Sequence, residues 1–228
     1  MSTSRLSRLL TRLQRAGGAV EVPASVQPLH AILWENVGYL IDDERRQVAF
    51  DTLAREVGLD AKAILRASDA KLRRIAELGG MLPEQRVAKL REIALLAEEI
   101  DGDDLRSTAT MTPAAARKVF ARFPGIGKPG TDKLVLLCGL EPCFTVESNG
   151  MRVLLRLGYG EESRDYAKTL RSVLAAAEAE LQRTRAARLR AHLLLLRHGR
   201  TLCRRTRPDC ASCPLREDCP FASQGRGA

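Results

Sequence analysis

Four of the six cysteines lie in the last 26 residues, and this cluster constrains the fold more than any other feature of the chain. Cys203, Cys210, Cys213 and Cys219 have the spacing C-x6-C-x2-C-x5-C. Thiols at this density form disulfides in an oxidising compartment or bind a metal in a reducing one. Because the N-terminus lacks the apolar segment of a secretory signal, we expect a reducing compartment and a metal site.

Two metal groups suit four thiolates in a short loop: a tetrahedral zinc ion and an iron–sulfur cubane. Zinc sites more often contain two C-x2-C pairs, and here only Cys210 and Cys213 have that spacing. The pattern alone leaves both groups open. The other two thiols, Cys138 and Cys143, are predicted to be a buried helix residue and a loop residue.

The charge of the chain indicates the chemistry of its partner. Its 37 Lys and Arg residues exceed its 28 Asp and Glu residues, which gives a formal net charge of +9 and favours a polyanion. The 228 residues suffice for one or two domains, and a hydrophobic content of 45% excludes wholesale disorder. No apolar run approaches the roughly 18 residues of a membrane span, so we expect no membrane contact. With the reducing compartment inferred above, the expected location is cytoplasmic.

Helical patterns cover nearly the whole sequence. Aromatic residues make up only 4% of the chain, and alternating β-branched runs are absent. The stretch Met1–Arg15 is rich in Ser and Arg, as in a transit peptide, but leucines recur in it at helical spacing and favour a helix packed on the body of the protein. An all-α fold is therefore predicted, with further helices at residues 29–40, 43–57, 61–68, 69–78, 83–100, 112–122, 131–140, 163–181 and 184–197.

A Pro-Gly-Ile-Gly turn separates two of these predicted helices. Gly125 and Gly127 permit a positive φ and the close approach of another backbone, and Ile126 can fill the corner between the helices. The amides at the start of the second helix then point outward together and favour a phosphate, beside Lys128 and Gly130. An ordinary helix–helix turn is the alternative, but the net charge favours contact with a DNA backbone.

The segment Phe123–Thr131 resembles the helix-hairpin-helix of the endonuclease III superfamily of base-excision DNA glycosylases. The resemblance extends to Leu29–Asp42, to Pro83–Ile100 and to Leu193–Arg200, which ends in His-Gly-Arg. It implies an all-α, two-lobed fold with a helix-hairpin-helix motif and a C-terminal 4Fe–4S cluster loop. A central helical domain would span residues 24–140, and residues 1–23 plus 141–228 would form the cluster domain. DNA would lie in the cleft between them.

The resemblance also assigns the cysteine loop, because endonuclease III relatives use the same spacing for a 4Fe–4S cluster. Its four cysteines would then ligate the cluster rather than zinc. Between the first two ligands lie Arg204, Arg205 and Arg207, which a stapled loop would hold out toward DNA phosphates. Arg152 is a further predicted DNA contact, and it lies with Arg200 near the predicted cleft.

The chain departs from the superfamily at the position of the catalytic lysine. Bifunctional members carry a Schiff-base lysine one residue after the hairpin, where this chain has Pro129. Lys128 is one residue too early, and Lys133 lies one helical turn further along. A monofunctional glycosylase is therefore predicted, similar to thymine and alkylpurine glycosylases.

A carboxylate remains at the superfamily's second catalytic position. Eighteen residues after the lysine position the relatives have an aspartate, and this chain has Glu147. Its predicted role is to stabilise positive charge on the sugar and to orient a water as the base departs. The alternative is an ordinary polar residue at a helix start, with Ser148 as the helix cap.

Base excision from a duplex also requires a residue that fills the gap left by the extruded nucleotide. In the superfamily this residue follows the early apolar helix, and the matching position lies near Asn36. We therefore predict a monomeric, nucleoid-associated glycosylase that flips a damaged or mismatched base out of double-stranded DNA and hydrolyses its N-glycosidic bond without strong lyase activity. Two alternatives stay open: a catalytically weak or inactive iron–sulfur DNA-binding protein, and an AP lyase that uses Lys128 or Lys133.

Overall fold

The computed structural model describes residues 4–23, 26–102 and 104–224 of the chain. Within these ranges the protein is all-helical, as predicted, and its single β-type contact is an isolated bridge between Tyr39 and Gly80. None of the described helices has the length and apolar character needed to cross a bilayer. The α-helices are α1 (Arg5–Gly17), α2 (Pro28–Val37), α3 (Asp43–Glu56), α4 (Ala61–Arg66), α5 (Asp69–Leu78), α6 (Pro83–Ile100), α7 (Pro113–Phe120), α8 (Lys128–Leu137), α9 (Ser148–Arg156), α10 (Tyr166–Glu178), α11 (Arg185–Thr201) and α12 (Pro220–Ser223), and two short 3-10 helices span Arg106–Thr110 and Arg216–Asp218.

The helices form two compact units. One unit comprises Ala24–Leu140 and contains α2 to α8. The other joins Met1–Pro23 to Glu141–Ala228 and contains α1 and α9 to α12. We call them the hairpin unit and the cysteine-loop unit.

Capping side chains and apolar spacing determine the helices of the hairpin unit. The N-cap side chains of α3, α4, α5 and α7 each accept a hydrogen bond from a first-turn N–H group; they are Asp42, Asp60, Ser68 and Thr112. Residues spaced three and four apart face inward, and the largest are fully buried: Leu29, Ile32, Leu33, Leu53, Ile64, Leu72, Ile75, Leu90, Ile93 and Phe120. Helix α8 packs on both α2 and α7, so this core supports the hairpin.

The cysteine-loop unit has its own apolar core, to which α1 contributes one face. The leucines of α1 are buried in it: Leu6, Leu9, Leu10 and Leu13. They pack in one cluster with side chains of α9, α10 and α11 and with Leu215 from the cysteine loop. The predicted N-terminal helix is therefore present over Arg5–Gly17, packed against the C-terminal helices.

Two helix ends differ from the prediction in ways that affect the site. Helix α8 begins at Lys128 rather than at Thr131, because Pro129 fits the first turn of a helix. The φ that its ring fixes is helical, and an N–H group in the first turn would have no partner within the helix. Helix α11 continues past Arg197 to Thr201, so the His-Gly-Arg sequence is helical.

Candidate DNA-binding and catalytic site

The turn between α7 and α8 forms the predicted hairpin. Gly125 has a φ of +75°, and the Ile126 side chain is buried. A Cβ on Gly130 would lie 3.3 Å from Cγ2 of Ile126, so the glycine makes room for this side chain. Gly127 is the N-cap of α8, and no side chain of the described residues caps the helix there. The first-turn N–H groups can therefore bind an anion.

Lys128 lies beside this helix N-terminus, and its side chain is 79% exposed. Its Nζ is 3.8 Å from Oδ2 of Asp132, and Oδ1 of Asp132 accepts a hydrogen bond of 2.7 Å from Nε of Arg117. The ammonium thus adds positive charge where a phosphate would bind. An exposed amine of this kind lacks the desolvated surroundings that activate a nucleophilic lysine.

Lys133 forms an ion pair inside the hairpin unit. Its Nζ lies 2.5 Å from Oε1 of Glu35 on α2, and both side chains are largely buried. The ion pair holds the Lys133 side chain within the hairpin unit.

Asn36 does not fit the predicted gap-filling role. Only 6% of the residue is exposed, and its Nδ2 donates to the carbonyl of Ile32 at 3.0 Å. Its Oδ1 lies 3.0 Å from the position of a Cβ on Gly125. The side chain therefore packs against the hairpin turn and supports it, because the glycine leaves room for the amide.

Two loops of the hairpin unit expose large apolar side chains that the sequence interpretation missed. Tyr39 and Leu40 follow α2, and Met81 and Leu82 precede α6; Leu40 is the most exposed, at 73%. Leu40 and Leu82 have positive φ angles, +55° and +59°. This conformation is strained for leucine and persists where the surroundings fix it, often at functional sites. The sequence signal was the apolar pair between Gly79-Gly80 and a proline.

Backbone and arginine contacts fix these two loops to each other. The Tyr39 N–H donates to the Gly79 carbonyl at 2.9 Å. The buried guanidinium of Arg86 donates to the carbonyl of Ala76 at 2.9 Å and also to that of Gly80. The loops border a cavity of about 330 Å³ that the hairpin turn also lines. The exposed apolar residues therefore stand on a fixed support beside the hairpin.

Glu147 is the N-cap of α9, which is the helix-start position of the alternative interpretation, whereas Ser148 is the first helical residue and not the cap. Its Oε1 accepts a hydrogen bond of 3.1 Å from the Asn149 N–H, and its Oε2 lies 3.5 Å from Nη2 of Arg200. Tyr166 is close enough that, after burial, the charge of Glu147 helps to raise the pKa of its hydroxyl. The carboxylate is therefore oriented by two groups and remains partly exposed to a substrate.

Gly199 allows α11 to approach this carboxylate. An ideal Cβ on Gly199 would lie 2.7 Å from the carbonyl oxygen of Asn149, so only glycine permits the two backbones to come this close. The next residue, Arg200, then reaches Glu147. The His-Gly-Arg sequence therefore positions a cation at the candidate catalytic group.

Arg152 does not fit the predicted role of a DNA contact. Its Nη2 donates to Oδ1 of Asn149 at 2.8 Å and to the carbonyl of Gly199 at 2.7 Å, while its Nε donates to the carbonyl of Cys203 at 3.0 Å. Burial lowers the pKa of this guanidinium, and the charge of Cys203 partly opposes that shift. Arg152 instead connects α9, the end of α11 and the first residue of the cysteine loop.

The cysteine loop, residues 203–219, surrounds one cavity. Cys203, Cys210, Cys213 and Cys219 all line it, and all carry free thiols in the described structure. Burial raises the pKa of Cys213, and repulsion from the other three thiols adds to the shift. The thiols are therefore near neighbours whose negative charges would need a cation to offset them.

Hydrogen-bond donors face two of these sulfurs. The N–H of Leu215 lies 3.4 Å from Sγ of Cys213, and Nη1 of Arg156 lies 3.3 Å from Sγ of Cys203. Arg156 also donates to the Arg204 carbonyl at 2.8 Å. Donors in these positions stabilise thiolates, the form in which cysteine binds metal.

Among the described residues, no group of three or more His, Cys, Asp or Glu side chains is arranged to hold a metal ion. The assignment of the four cysteines to a 4Fe–4S cluster stays a prediction from the sequence.

The arginines between the first two cysteines are exposed, as a DNA contact requires. They are Arg204, Arg205 and Arg207. Arg156 binds the carbonyls of the first two from the protein side, at 2.8 and 3.3 Å. The backbone of this segment is therefore fixed while its guanidinium groups reach solvent.

The described structure thus combines a hairpin, a capped carboxylate and a four-cysteine loop on an all-α fold. No family model matches the chain. Endonuclease III from Sulfolobus acidocaldarius is 27% identical over 186 residues, which cover 78% of this chain and 75% of the relative.

Solved structures share the same fold. An endonuclease III trapped as a covalent intermediate with DNA matches with a TM-score of 0.73 at 14% identity, over 99% of each chain. A thermostable thymine-DNA glycosylase matches with a TM-score of 0.74 at 18% identity, over 96% of this chain and 95% of that one. Together with the sequence match, they confirm the resemblance to the endonuclease III-like glycosylase superfamily.

Proposed function

We propose that this protein is a base-excision repair glycosylase that binds duplex DNA, extrudes a damaged or mismatched base and hydrolyses its N-glycosidic bond. The observation that carries the proposal is the carboxylate of Glu147, held at the N-terminus of α9 in a fold shared with endonuclease III. The relatives support it, since the similar solved structures are an endonuclease III on DNA and a thymine-DNA glycosylase.

Glu147 would act on the sugar rather than on the base. As the glycosidic bond breaks, positive charge develops on the sugar ring, and a nearby carboxylate stabilises it and accepts a proton from the attacking water. Its two restraints, the Asn149 N–H and the Arg200 guanidinium, keep the carboxylate oriented before the substrate arrives. Such preorganisation offsets the extra methylene of glutamate relative to aspartate.

The surroundings of the two candidate lysines support a monofunctional enzyme. A lyase needs an uncharged amine at the sugar, and Pro129 provides none. Lys128 is exposed beside Asp132, and Lys133 is paired with Glu35. We therefore propose that the base is released and the abasic strand remains intact.

The exposed apolar loops suit the task of filling the gap in the duplex. An extruded nucleotide leaves an unstacked space, and an apolar side chain can enter it. Leu40 and Leu82 are exposed on backbones that the neighbouring contacts hold fixed. We assign the gap-filling role to these leucines in place of Asn36.

Contacts with the DNA backbone would come from both units. In the hairpin unit they are the first-turn amides of α8 and Lys128. In the cysteine-loop unit they are Arg204, Arg205 and Arg207. We also propose that the protein acts as a monomer associated with the nucleoid, which gel filtration with light scattering and fractionation would test.

A 4Fe–4S cluster is the group that the cysteine loop fits. The four thiols line one cavity, and N–H donors face two of the sulfurs. When bound, the cluster would fix a loop that has almost no apolar core of its own. The residues of the loop would then present the exposed arginines to DNA.

The proposal is tested with a panel of duplexes that each carry one lesion or mismatch. We expect release of at least one base, strand cleavage only after alkali, and no covalent adduct when borohydride is added. An adduct would show a lyase and overturn the monofunctional assignment. If no base is released from any duplex although the protein binds them, the chain is an iron–sulfur DNA-binding protein without glycosylase activity.

A further inference from the structure

Helix α1 contacts the half of the cysteine loop that carries the last two cysteines. The segment Pro214–Asp218 joins Cys213 to Cys219 and contains a short 3-10 helix. Only Leu215 of this segment is buried. A segment this short cannot bury enough surface to fix itself, so its position depends on what packs against it.

Arg12 binds this segment at three points. Its guanidinium forms a short ion pair with the Asp218 carboxylate, lies 3.9 Å from the Glu217 carboxylate, and donates to the Pro214 carbonyl at 2.5 Å. The planar fork of arginine suits such divergent acceptors, whereas the single ammonium of lysine does not. One side chain therefore connects the beginning and the end of the segment.

Arg5 lies two turns before Arg12 on the same face of α1 and holds the end of the same segment. Its Nη2 donates to the carbonyl of Asp218 at 2.9 Å and to that of Leu157 at 3.0 Å. The guanidinium also stacks over the ring of Tyr159, at 5.2 Å from the ring centroid. Arg5 thus ties the loop to the end of α9 and to the ring that follows it.

Apolar packing also restrains the segment. Leu215 belongs to the same buried cluster as the leucines of α1. Its N–H faces the sulfur of Cys213, so a shift of Leu215 would also move this donor. Helix α1 therefore restrains the side chain, the carbonyls and the carboxylate of a segment more than 200 residues away in sequence.

We propose that Arg5 and Arg12 are positioning residues of the metal site, which hold Cys213 and Cys219 where the cluster needs them. The inference rests on the cluster proposed above and does not depend on glycosylase activity. Arg12 has the larger role, because of the two arginines it is the one that contacts both ends of the segment. Without the two arginines, the segment opens more often, and these openings expose the cluster to chelators.

The test compares Arg12→Ala, Arg5→Ala and the double variant with the wild type. The matched control is Arg15→Ala, which removes the same charge from an exposed position on the last turn of α1. Iron released to a chelator is followed together with the visible absorbance of the purified protein, without DNA. We expect about three- to tenfold faster iron release for Arg12→Ala, since a loss of 1.4 kcal/mol corresponds to a tenfold change in the opening equilibrium.

Hydrogen exchange provides a readout that does not depend on the metal. The amides of Arg216, Asp218 and Cys219 form hydrogen bonds within the segment or between it and its flanking cysteines, so their exchange reports its opening. We expect faster exchange there in the double variant, an intermediate rate in Arg12→Lys and the wild-type rate in Arg15→Ala, with unchanged helical circular dichroism.

Two results would overturn the proposal. One is a double variant that releases iron and exchanges these amides at the wild-type rates. The other is an equal acceleration in Arg15→Ala, which would show a general effect of charge. A chain that purifies without iron leaves the exchange measurement as the deciding one, and a failure of glycosylase activity affects neither readout.

Discussion

A methyl group at Gly199 would collide with the backbone of α9. The nearest atom, the carbonyl oxygen of Asn149, would be 2.7 Å from the new carbon, which is about 0.7 Å less than ordinary contact. Overpacking of this kind lowers the unfolding free energy by about 1–3 kcal/mol, and the better helix propensity of alanine offsets about 0.5–1 kcal/mol of that loss. We therefore expect Gly199→Ala to lose about 1–2 kcal/mol of unfolding free energy, or about 2–8 °C in melting temperature.

The collision also bears on catalysis, because the helices must separate where Glu147 caps α9. A displacement of 1 Å can cost about 10²-fold in rate, so a shift of several tenths of an ångström should lower single-turnover excision about tenfold. Denaturant unfolding and excision are measured on the same preparations. In the control Gly17→Ala, the new carbon meets only the far end of the flexible Arg197 side chain, at 3.0 Å from Nη2.

The unfolding free energy of Gly17→Ala should stay within about 0.5 kcal/mol of that of the wild type. If Gly199→Ala were as stable and as active as Gly17→Ala, the argument that glycine sets the approach of α11 to Glu147 would be refuted.

Three further substitutions test separate parts of the account. Arg152→Met should lose about 2–3 kcal/mol of unfolding free energy, because three carbonyl or amide acceptors lose their donor. The variant should also bind less iron. An unchanged unfolding free energy and iron content would contradict the structural role of Arg152. Lys128→Ala should weaken binding to all duplexes alike and reduce the slope of log K against log salt by about 1, and a lesion-dependent loss would contradict a phosphate contact. Leu82→Ala should slow excision from duplex about tenfold but not from single strands, and an equal effect on both would exclude gap filling.

Local signals in the sequence predict most of the helices, but the predicted spans leave out α9 (Ser148–Arg156). Helix α6 has the predicted bounds, Pro83–Ile100, because a proline at its start and a regular apolar face define it without reference to the rest of the chain. The sequence pattern places the start of α8 at Thr131, three residues too late, because it assigns Pro129 to the turn. Proline fits both a turn and the first turn of a helix, so the sequence alone does not distinguish the two positions.

Side-chain roles were harder to predict, because they depend on partners distant in sequence. Asn36 is buried and donates to the Ile32 carbonyl, and Arg152 is occupied by the carbonyls of Gly199 and Cys203. A matching position in a motif identifies where a residue lies along the chain but not which neighbour takes its hydrogen bonds. The pairing of Lys133 with Glu35 is a third case.

The most direct test of the central claim is single-turnover excision by wild type, Glu147→Gln and Glu147→Asp on a duplex whose base the wild type releases. Glutamine keeps the size of the side chain and the hydrogen bond at the α9 N-terminus but cannot stabilise positive charge on the sugar or accept a proton. We predict a rate at least about 10²-fold lower for Glu147→Gln at unchanged DNA affinity, with substantial activity in Glu147→Asp. Equal rates for the wild type and Glu147→Gln would contradict the assignment of Glu147 as the catalytic carboxylate.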